Sequence, residues 1–449
     1  MLTHDLPAGV PEWLADVGGG EVTRLQRAVS RREAWVVDVQ RPGGDVTEGF
    51  LRLERVPKPG NPWSLARETR IVEALKGTAV PVPAVFARSD ALACTLFERV
   101  PGRADLQNAP PEQQRPVMEH FMDIVADLHR VDLDRFPVSE FPRPASNRDC
   151  ALGEMDLVAK QWSGFLARYH DPLITYGIDW LERFVPKTIS RVSLVQGDTG
   201  PVNFMFEGNR VTSVIDWEWA HLGDPMEDLG NICVREFWNP SGGLGGLMQR
   251  YQQRSGLPVD LAAVRYYRVQ QNMRGMVPIA ERTVVSDPHE PLAWYLAYRY
   301  VGDRSTLESM AESMGCTIAR PEMPKQRGAP DPLADAAAYA LEHDIHPAVS
   351  GSFAQSRTRD VAILIQCMER VRRFGAEIGR ADRAELGVLL GRRIRTAAAG
   401  IEALNAAIRE RRIDDERMIQ FLGRRTYRLE WLYAPATQLY PDRRWATLD

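Results

Sequence analysis

The chain is predicted to be an α+β protein with a β-rich amino-terminal region, a mainly helical middle and an all-α carboxy-terminal segment. Three observations predict this. Short runs rich in Val, Trp, Phe and Leu, broken by Pro and Gly, fill residues 1–100. From residue 111 apolar side chains recur at helical spacing, with a β interruption near 190–216. Residues 317–332 carry Pro321, Pro324, Gly328, Pro330 and Pro332 with few apolar side chains, which reads as a linker. The expected division is therefore 1–100, 101–316, a linker over 317–332, and a helical unit over 333–449.

Taken in order, Arg24-Leu25-Gln26 leads into Ala34-Trp35-Val36-Val37-Asp38-Val39. A Pro-Gly-Gly turn over 42–44 then gives Phe50-Leu51-Arg52-Leu53, so two strands with a hairpin-like connection are expected. Ser64 to Leu75 puts Ile71, Val72 and Leu75 on one helical face, and Pro81-Val82-Pro83 bars its continuation. Leu92 to Val100 reads as a buried strand ended by Pro101-Gly102. Val117, Phe121, Ile124, Val125 and Leu128 mark a helix. Val192 to Val195 reads as a strand. Asn203–Phe206 and Val211–Ile215 read as hairpin arms joined through Glu207-Gly208-Asn209-Arg210. Helical pattern resumes from about 226 to 314, and again over 333–434, for example at Ile401, Leu404 and Ile408.

Composition narrows the function. The chain has 449 residues, of which 44% are hydrophobic and 26% charged, as in soluble globular proteins. A formal charge of −4 gives no global attraction to nucleic acid or to an anionic membrane, and neither partner is expected. No uninterrupted apolar run approaches the ~18 residues of a membrane span. Five cysteines, odd in number and without a C-x-x-C pair, fit a reducing cytoplasm.

The segment with most chemistry is Gln196-Gly197-Asp198-Thr199-Gly200-Pro201-Val202-Asn203, followed by Ile215-Asp216-Trp217-Glu218. Phosphoryl transfer needs a carboxylate to orient a hydroxyl and take its proton, and oxygen ligands to hold Mg²⁺ on the triphosphate. An Asp followed five residues later by an Asn sets both in one loop at a strand entrance. The hairpin that follows returns the chain, so Asp216 emerges beside Asn203. One carboxylate and two oxygen ligands are thereby gathered at one end of a small sheet.

These residues resemble the motifs of the aminoglycoside-phosphotransferase-like kinases, a branch of the protein-kinase-like fold. The pattern is His-Gly-Asp, four residues, Asn, then Ile-Asp-Trp and Gly-Asp-Pro, here Gly223-Asp224-Pro225 with Asp228 beyond. The resemblance implies a bilobal fold, with a β-rich nucleotide-binding lobe and a helical catalytic and acceptor-binding lobe. It implies ATP and Mg²⁺ as cofactors, Asp198 as base and Asn203 and Asp216 as metal ligands. Gln196, Asp224 and Asp228 would be supporting residues. Ala28 to Trp35 is similar to the nucleotide loop, which gives Ser30 a nucleotide contact. Arg52 stands for the basic residue that meets the phosphates, and Glu68 for its helix partner. Glu98 and Val100 belong to a segment that resembles the adenine hinge. His129 is read as structural. The likeness covers about residues 10–315, and the last hundred residues resemble an uncharacterised helical domain attached to such kinases. Two departures stand out: Gln196 replaces the His, and residues 22–37 contain no glycine.

The expected activity is transfer of the γ-phosphoryl group of ATP to a hydroxyl of a small-molecule acceptor. Residues 233–300 mix acids with many arginines, including Arg235, Arg274 and Arg299, and with aromatic residues. That balance suits a hydroxy acid or hydroxyacyl-CoA better than a polycationic aminoglycoside. The alternative is a non-catalytic kinase-like protein that binds nucleotide or a partner. The basic cluster Arg392, Arg393 and Arg395 reads as a solvated helix face.

Overall fold

A computed structural model describes residues 6–28, 33–54, 61–285, 287, 290–325 and 331–448. Helix α1 (Val10–Gly18) precedes strands β1 (Glu21–Arg27), β2 (Ala34–Gln40) and β3 (Val46–Leu53). Helix α2 (Leu65–Leu75), strands β4 (Val85–Ser89) and β5 (Cys94–Glu98) and helix α3 (Pro111–Leu128) follow. Next come α4 (Asn147–Gln161), α5 (Ser163–Leu166), α6 (Pro172–Arg183) and strands β6 (Ser193–Val195), β7 (Phe204–Glu207), β8 (Arg210–Val214) and β9 (His221–Gly223). The rest is helical: α7 (Pro225–Trp238), α8 (Leu247–Ser255), α9 (Leu261–Val284), α10 (Leu292–Ser313), α11 (Pro332–Tyr339), α12 (Ser352–Leu390), α13 (Ala397–Arg409), α14 (Asp415–Leu432) and α15 (Ala434–Thr437).

The chain divides into two compact units, one of residues 1–144, 190–236 and 241–259, the other of 145–189, 237–240 and 260–449. In the first unit a five-stranded antiparallel sheet runs in the order β1-β2-β3-β5-β4. Alternation along β2 and β3 turns Trp35, Val37, Val39, Leu51 and Leu53 inward, where they pack with Leu96, Val10 and Leu14. Each such side chain contributes about 1.5–3 kcal/mol of burial. The Ser64 hydroxyl caps α2 by accepting from the Arg67 N–H at 3.3 Å. The buried Thr69 and Thr95 hydroxyls meet at 2.9 Å and fix α2 against β5. The expected hairpin is β7–β8, turning through Gly208 and Asn209, and β6 pairs with β9. An Arg103–Phe206 bridge and a Val214 N–H to Pro81 carbonyl bond (2.8 Å) tie the hairpin to the segments around the sheet.

The second unit is all helix. Here the structure departs from the expected division, because the segment after 332 does not form a unit of its own. Helix α14 packs on α10: Arg304 pairs with Glu430 at 3.2 Å, and the Tyr427 hydroxyl donates to Glu308. Asp415, at the start of α14, accepts from Arg183 (2.7 Å) and Tyr176 (2.8 Å) on α6. The expected linker is anchored at its start, since Gln420 donates to the Thr317 carbonyl at 2.7 Å and Ile318 is buried against Gly423. Residues 326–330 lie outside the described residues. Among the described residues no helix is long and apolar enough to cross a membrane.

Candidate active site

A cleft of about 1440 Å³ lies within the first unit. Val36, Phe50, Val72 and Phe97 give it apolar walls. Arg52, Glu68, Glu98, Val100, Asn203 and Asp216 also line it, so six of the residues expected to meet nucleotide or metal share one cavity. Ser30 lies outside the described residues, although its neighbour Ala28 lines the cleft. Asp198 is not part of the lining. It sits behind Asn203, whose Nδ2 donates to its carboxylate at 2.7 Å and to its carbonyl at 2.6 Å.

Backbone pairing explains how Asn203 and Asp216 meet. The Ile215 N–H donates to the Asn203 carbonyl at 3.0 Å, one step beyond the β7–β8 ladder, and Asp216 follows directly. Asp216 takes a left-handed φ of 61°, and Val202 one of 76°. A β-branched residue in that region is strained, and such strain costs on the order of 1–3 kcal/mol. Val202 directly precedes Asn203, and Asp216 is itself the other expected metal ligand. Gly197 (φ 77°) is required for a different reason, because a Cβ there would stand 2.4 Å from the Trp219 carbonyl oxygen.

Arg52 is the basic centre of the cleft. Its side chain is largely buried and lies 3.4 Å from Glu68, 3.9 Å from Asp216 and 3.9 Å from Glu218. Three carboxylates thus surround one guanidinium. Glu218 stands in the quoted motif but had been given no role. The Trp63–Trp219 ring contact (4.6 Å between centroids) and an Arg67 bond to the Glu218 carbonyl (3.5 Å) hold its segment against the start of α2. At the end of β5, the Glu98 N–H donates to the Ala84 carbonyl (2.8 Å), and the Glu98 carboxylate accepts the Ala84 N–H (3.0 Å). Beyond Arg99, whose N–H still bonds the Glu48 carbonyl at 3.2 Å, the chain leaves the sheet at Val100.

Behind the cleft the loop carrying Asp198 is held by Gln196 and Asp228. The Gln196 amide donates to the carbonyls of Ile215 (3.1 Å) and Asp216 (2.8 Å), and its oxygen accepts the Asp198 N–H at 2.8 Å. One side chain thus clamps the Asp198 and Asp216 segments, a task that needs an amide's paired donor and acceptor. Asp228 is fully buried and accepts from the Gln196 N–H (2.9 Å), the Gly197 N–H (2.9 Å), His129 (3.0 Å) and the Thr199 hydroxyl. Burial alone would raise its carboxyl, but bonds from His129, Thr199 and the Gly197 N–H hold it below its ordinary value. His129 is buried between Asp228 and the Tyr251 hydroxyl, 2.7 Å from its other ring nitrogen, as a structural residue would be. Asp224 caps its own helix, accepting the Met226 N–H at 3.0 Å.

Arg235 is where the sequence reading misled. It was grouped with the basic residues of 233–300, yet its guanidinium pairs with Asp198. It lies two helical turns after Asp228, so the two share a face of α7. That spacing was the available signal. Of the other arginines of the group, Arg250 pairs with Asp123 (2.5 Å), Arg254 with Asp127 (2.7 Å), Arg268 with Glu312 (2.9 Å) and Arg299 with Asp171 and Asp303, while Arg274 donates to the Gln271 amide oxygen at 2.6 Å. Counting them as free positive charge facing an acceptor therefore fails.

A cleft lined by residues of a five-stranded antiparallel sheet and by Asn203 and Asp216 of the adjoining hairpin segment belongs to a kinase-like fold. The chain belongs to the phosphotransferase enzyme family, whose model matches residues 22–267. Its fold is that of aminoglycoside phosphotransferases. The structure of one of them, APH(4)-Ia, in ternary complex with ADP and hygromycin B, is similar at a TM-score of 0.50 and 19% identity. The match covers 67% of this chain and 99% of that one. A Ralstonia eutropha structure assigned to the same enzymes gives 0.51 and 21%, covering 67% and 94%. Among curated sequences, acyl-CoA dehydrogenase family member 10 of Mus musculus is 26% identical over 235 residues, 48% of this chain and 21% of its own length. Family member 11 of Rattus norvegicus is 24% identical over 215 residues, 45% and 27%. The chain thus spans about a quarter of the length of these relatives.

Proposed function

We propose that the chain transfers the γ-phosphoryl group of ATP to a hydroxyl of a small molecule, with Asp198 as the base. The observation that carries this reading is the convergence of Asp198, Asn203 and Asp216 at the hairpin mouth, next to the Arg52–Glu68 pair. The acceptor oxygen forms a bond to γ-phosphorus as the bond from phosphorus to the β,γ-bridging oxygen breaks. ADP leaves with that electron pair, and the hydroxyl proton passes to an Asp198 oxygen and then to solvent. Arg52 receives phosphate oxygens, Glu68 keeps its guanidinium in place, and the apolar walls take the base.

Magnesium fits the donors present. Among the described residues no three His, Cys, Asp or Glu side chains gather to hold a metal. A hard cation held by one carboxylate, one amide oxygen and substrate phosphates needs no such group. Asp216 and the Oδ1 of Asn203 would hold it, since Nδ2 of Asn203 is committed to Asp198. When bound, the ion neutralises triphosphate charge.

For the acceptor, we favour a hydroxy acid or a hydroxyacyl-CoA. The names of the curated relatives, acyl-CoA dehydrogenase family members, support it. A second reading, a kinase-like protein that binds nucleotide without turnover, draws on the Asp198–Arg235 pair, which occupies the base. The variant Asp198→Asn decides between them. Under the kinase reading it retains nucleotide binding and loses acceptor-stimulated ADP release by about 10²–10⁴-fold. Wild-type turnover in that variant would sink the assignment of Asp198.

A further inference from the structure

We infer that Arg235 selects the acceptor, by binding an oxyanion that the acceptor carries close to its reacting hydroxyl. This rests on the kinase reading and assigns it a substrate class. The Arg235 side chain is mostly buried, at 17% exposure, and its guanidinium pairs with Asp198, whose side chain is 22% exposed. Its stem is held against the loop that bears Asp198. A Cβ on Gly200, at φ 134°, would stand 2.8 Å from both Cβ and Cγ of Arg235, so only glycine at 200 admits it. The charge is therefore fixed beside the base.

That position has a chemical consequence. A carboxylate paired with a guanidinium is a poorer proton acceptor than the same carboxylate released from it. A guanidinium fork can hold two oxygens of a carboxylate or phosphate. An acceptor bringing its own oxyanion takes over Arg235 and leaves an Asp198 oxygen for the hydroxyl. An acceptor bringing an ammonium meets a like charge at the same point and gains nothing from the exchange. A neutral alcohol must compete with the ion pair unaided. Selection is thus built into the approach to Asp198.

The test is a ratio. Specificity constants kcat/KM are measured for a series of hydroxyalkanoates and for diols and amino alcohols of the same carbon skeletons. Coenzyme A and pantetheine thioesters of the hydroxyalkanoates complete the set. Wild-type protein is expected to prefer the free acid to the diol and to both thioesters, and to reject the amino alcohol. A preference for the free acid assigns the oxyanion to a carboxylate. A preference for the coenzyme A ester over the free acid overturns the inference, because the coenzyme's phosphates lie a whole pantetheine arm away from the acyl hydroxyl and out of reach of a guanidinium that pairs with Asp198. In Arg235→Gln the acid-to-diol ratio should fall about 10- to 100-fold, and Arg235→Lys should restore part of it. Because the ratio cancels any effect on Asp198 itself, a residue that only props the base would leave it unchanged.

An unchanged ratio in Arg235→Gln overturns the inference, as does a diol or a thioester used as well as the free acid. If Arg235→Gln does not fold, Arg235→Lys, which keeps the charge and loses the fork, carries the same comparison. Metal-dependent ATP binding, followed by thermal shift, separates the two failures. ATP binding with no acceptor preference defeats this inference alone, whereas absence of ATP binding defeats the kinase reading and this inference with it.

Discussion

Replacing Asp228 by Asn removes one charge and changes one atom, yet it should unsettle the whole loop that carries Asp198. Each carboxylate oxygen serves two donors. Oδ2 accepts from the Gln196 N–H and His129, and Oδ1 from the Gly197 N–H and the Thr199 hydroxyl. Whichever way the asparagine amide turns, its NH₂ faces a backbone N–H, at Gln196 or at Gly197. That donor is buried and loses its acceptor, a cost of about 1–3 kcal/mol. The remaining bonds weaken as well, because their acceptor no longer carries charge. We expect a total near 3 kcal/mol for Asp228→Asn and about 3–6 kcal/mol for Asp228→Ala. Urea unfolding followed by tryptophan fluorescence measures the loss, and acceptor-stimulated ADP release should fall with it. The pH dependence adds a second check. The folded carboxyl lies below its ordinary 3.8, so its stabilisation is present above that value and is lost as pH falls through the folded value. Asp228→Asn should remove that part of acid unfolding. A variant within about 0.5 kcal/mol of wild type, an ordinary surface-substitution effect, would refute the reasoning.

Two further expectations concern the helical unit. Asp303 is buried beside Arg299 (3.0 Å), and burial raises its carboxyl to about 6 despite that partner. The folded state thus holds its proton more tightly than the unfolded chain. This contribution lowers stability as pH rises from about 4 to about 6, and Asp303→Asn should flatten that slope; a slope unchanged in urea titrations would argue against it. Deleting residues 440–449 should cost about 3 kcal/mol or more. The fully buried Arg268 would lose the Ala446 carbonyl (2.9 Å) and the Trp445 ring (3.5 Å), and Glu312 would lose the Leu448 N–H (2.7 Å). An unaltered melting temperature would count against that packing.

Local chemistry made much of the first unit legible. The hairpin 203–215, the Ser64-capped helix and the strands around Trp35 and Leu51 each carry their own periodicity, turn or cap, and appear where expected. Strands β4 and β9 escaped notice because β4 has no fully buried residue to set an apolar pattern and β9, His221-Leu222-Gly223, carries a single aliphatic side chain. The Arg235–Asp198 pair and the four donors on Asp228 are contacts between distant residues, which spacing does not encode beyond the shared face of α7. The carboxy-terminal helices were read as separate because Pro-rich composition signals a break in secondary structure, not a break in packing. The structure shows the packing in α10, where Tyr295, Ala297, Arg299, Val301 and Asp303 are all buried. A helix buried on every side must have neighbours around it, and α14 is one of them.

The central claim, that the cleft is a metal-dependent nucleotide site read by Asp216, is tested most directly by thermal unfolding with ATP. Wild type and Asp216→Ala are melted with ATP alone, with Mg²⁺ alone and with both. The account expects nucleotide to stabilise wild type chiefly when metal is present, by about 2.7 kcal/mol at a hundredfold excess over Kd, and Asp216→Ala to lose most of that increment. Equal stabilisation with and without Mg²⁺, or the same increment in Asp216→Ala, would contradict it.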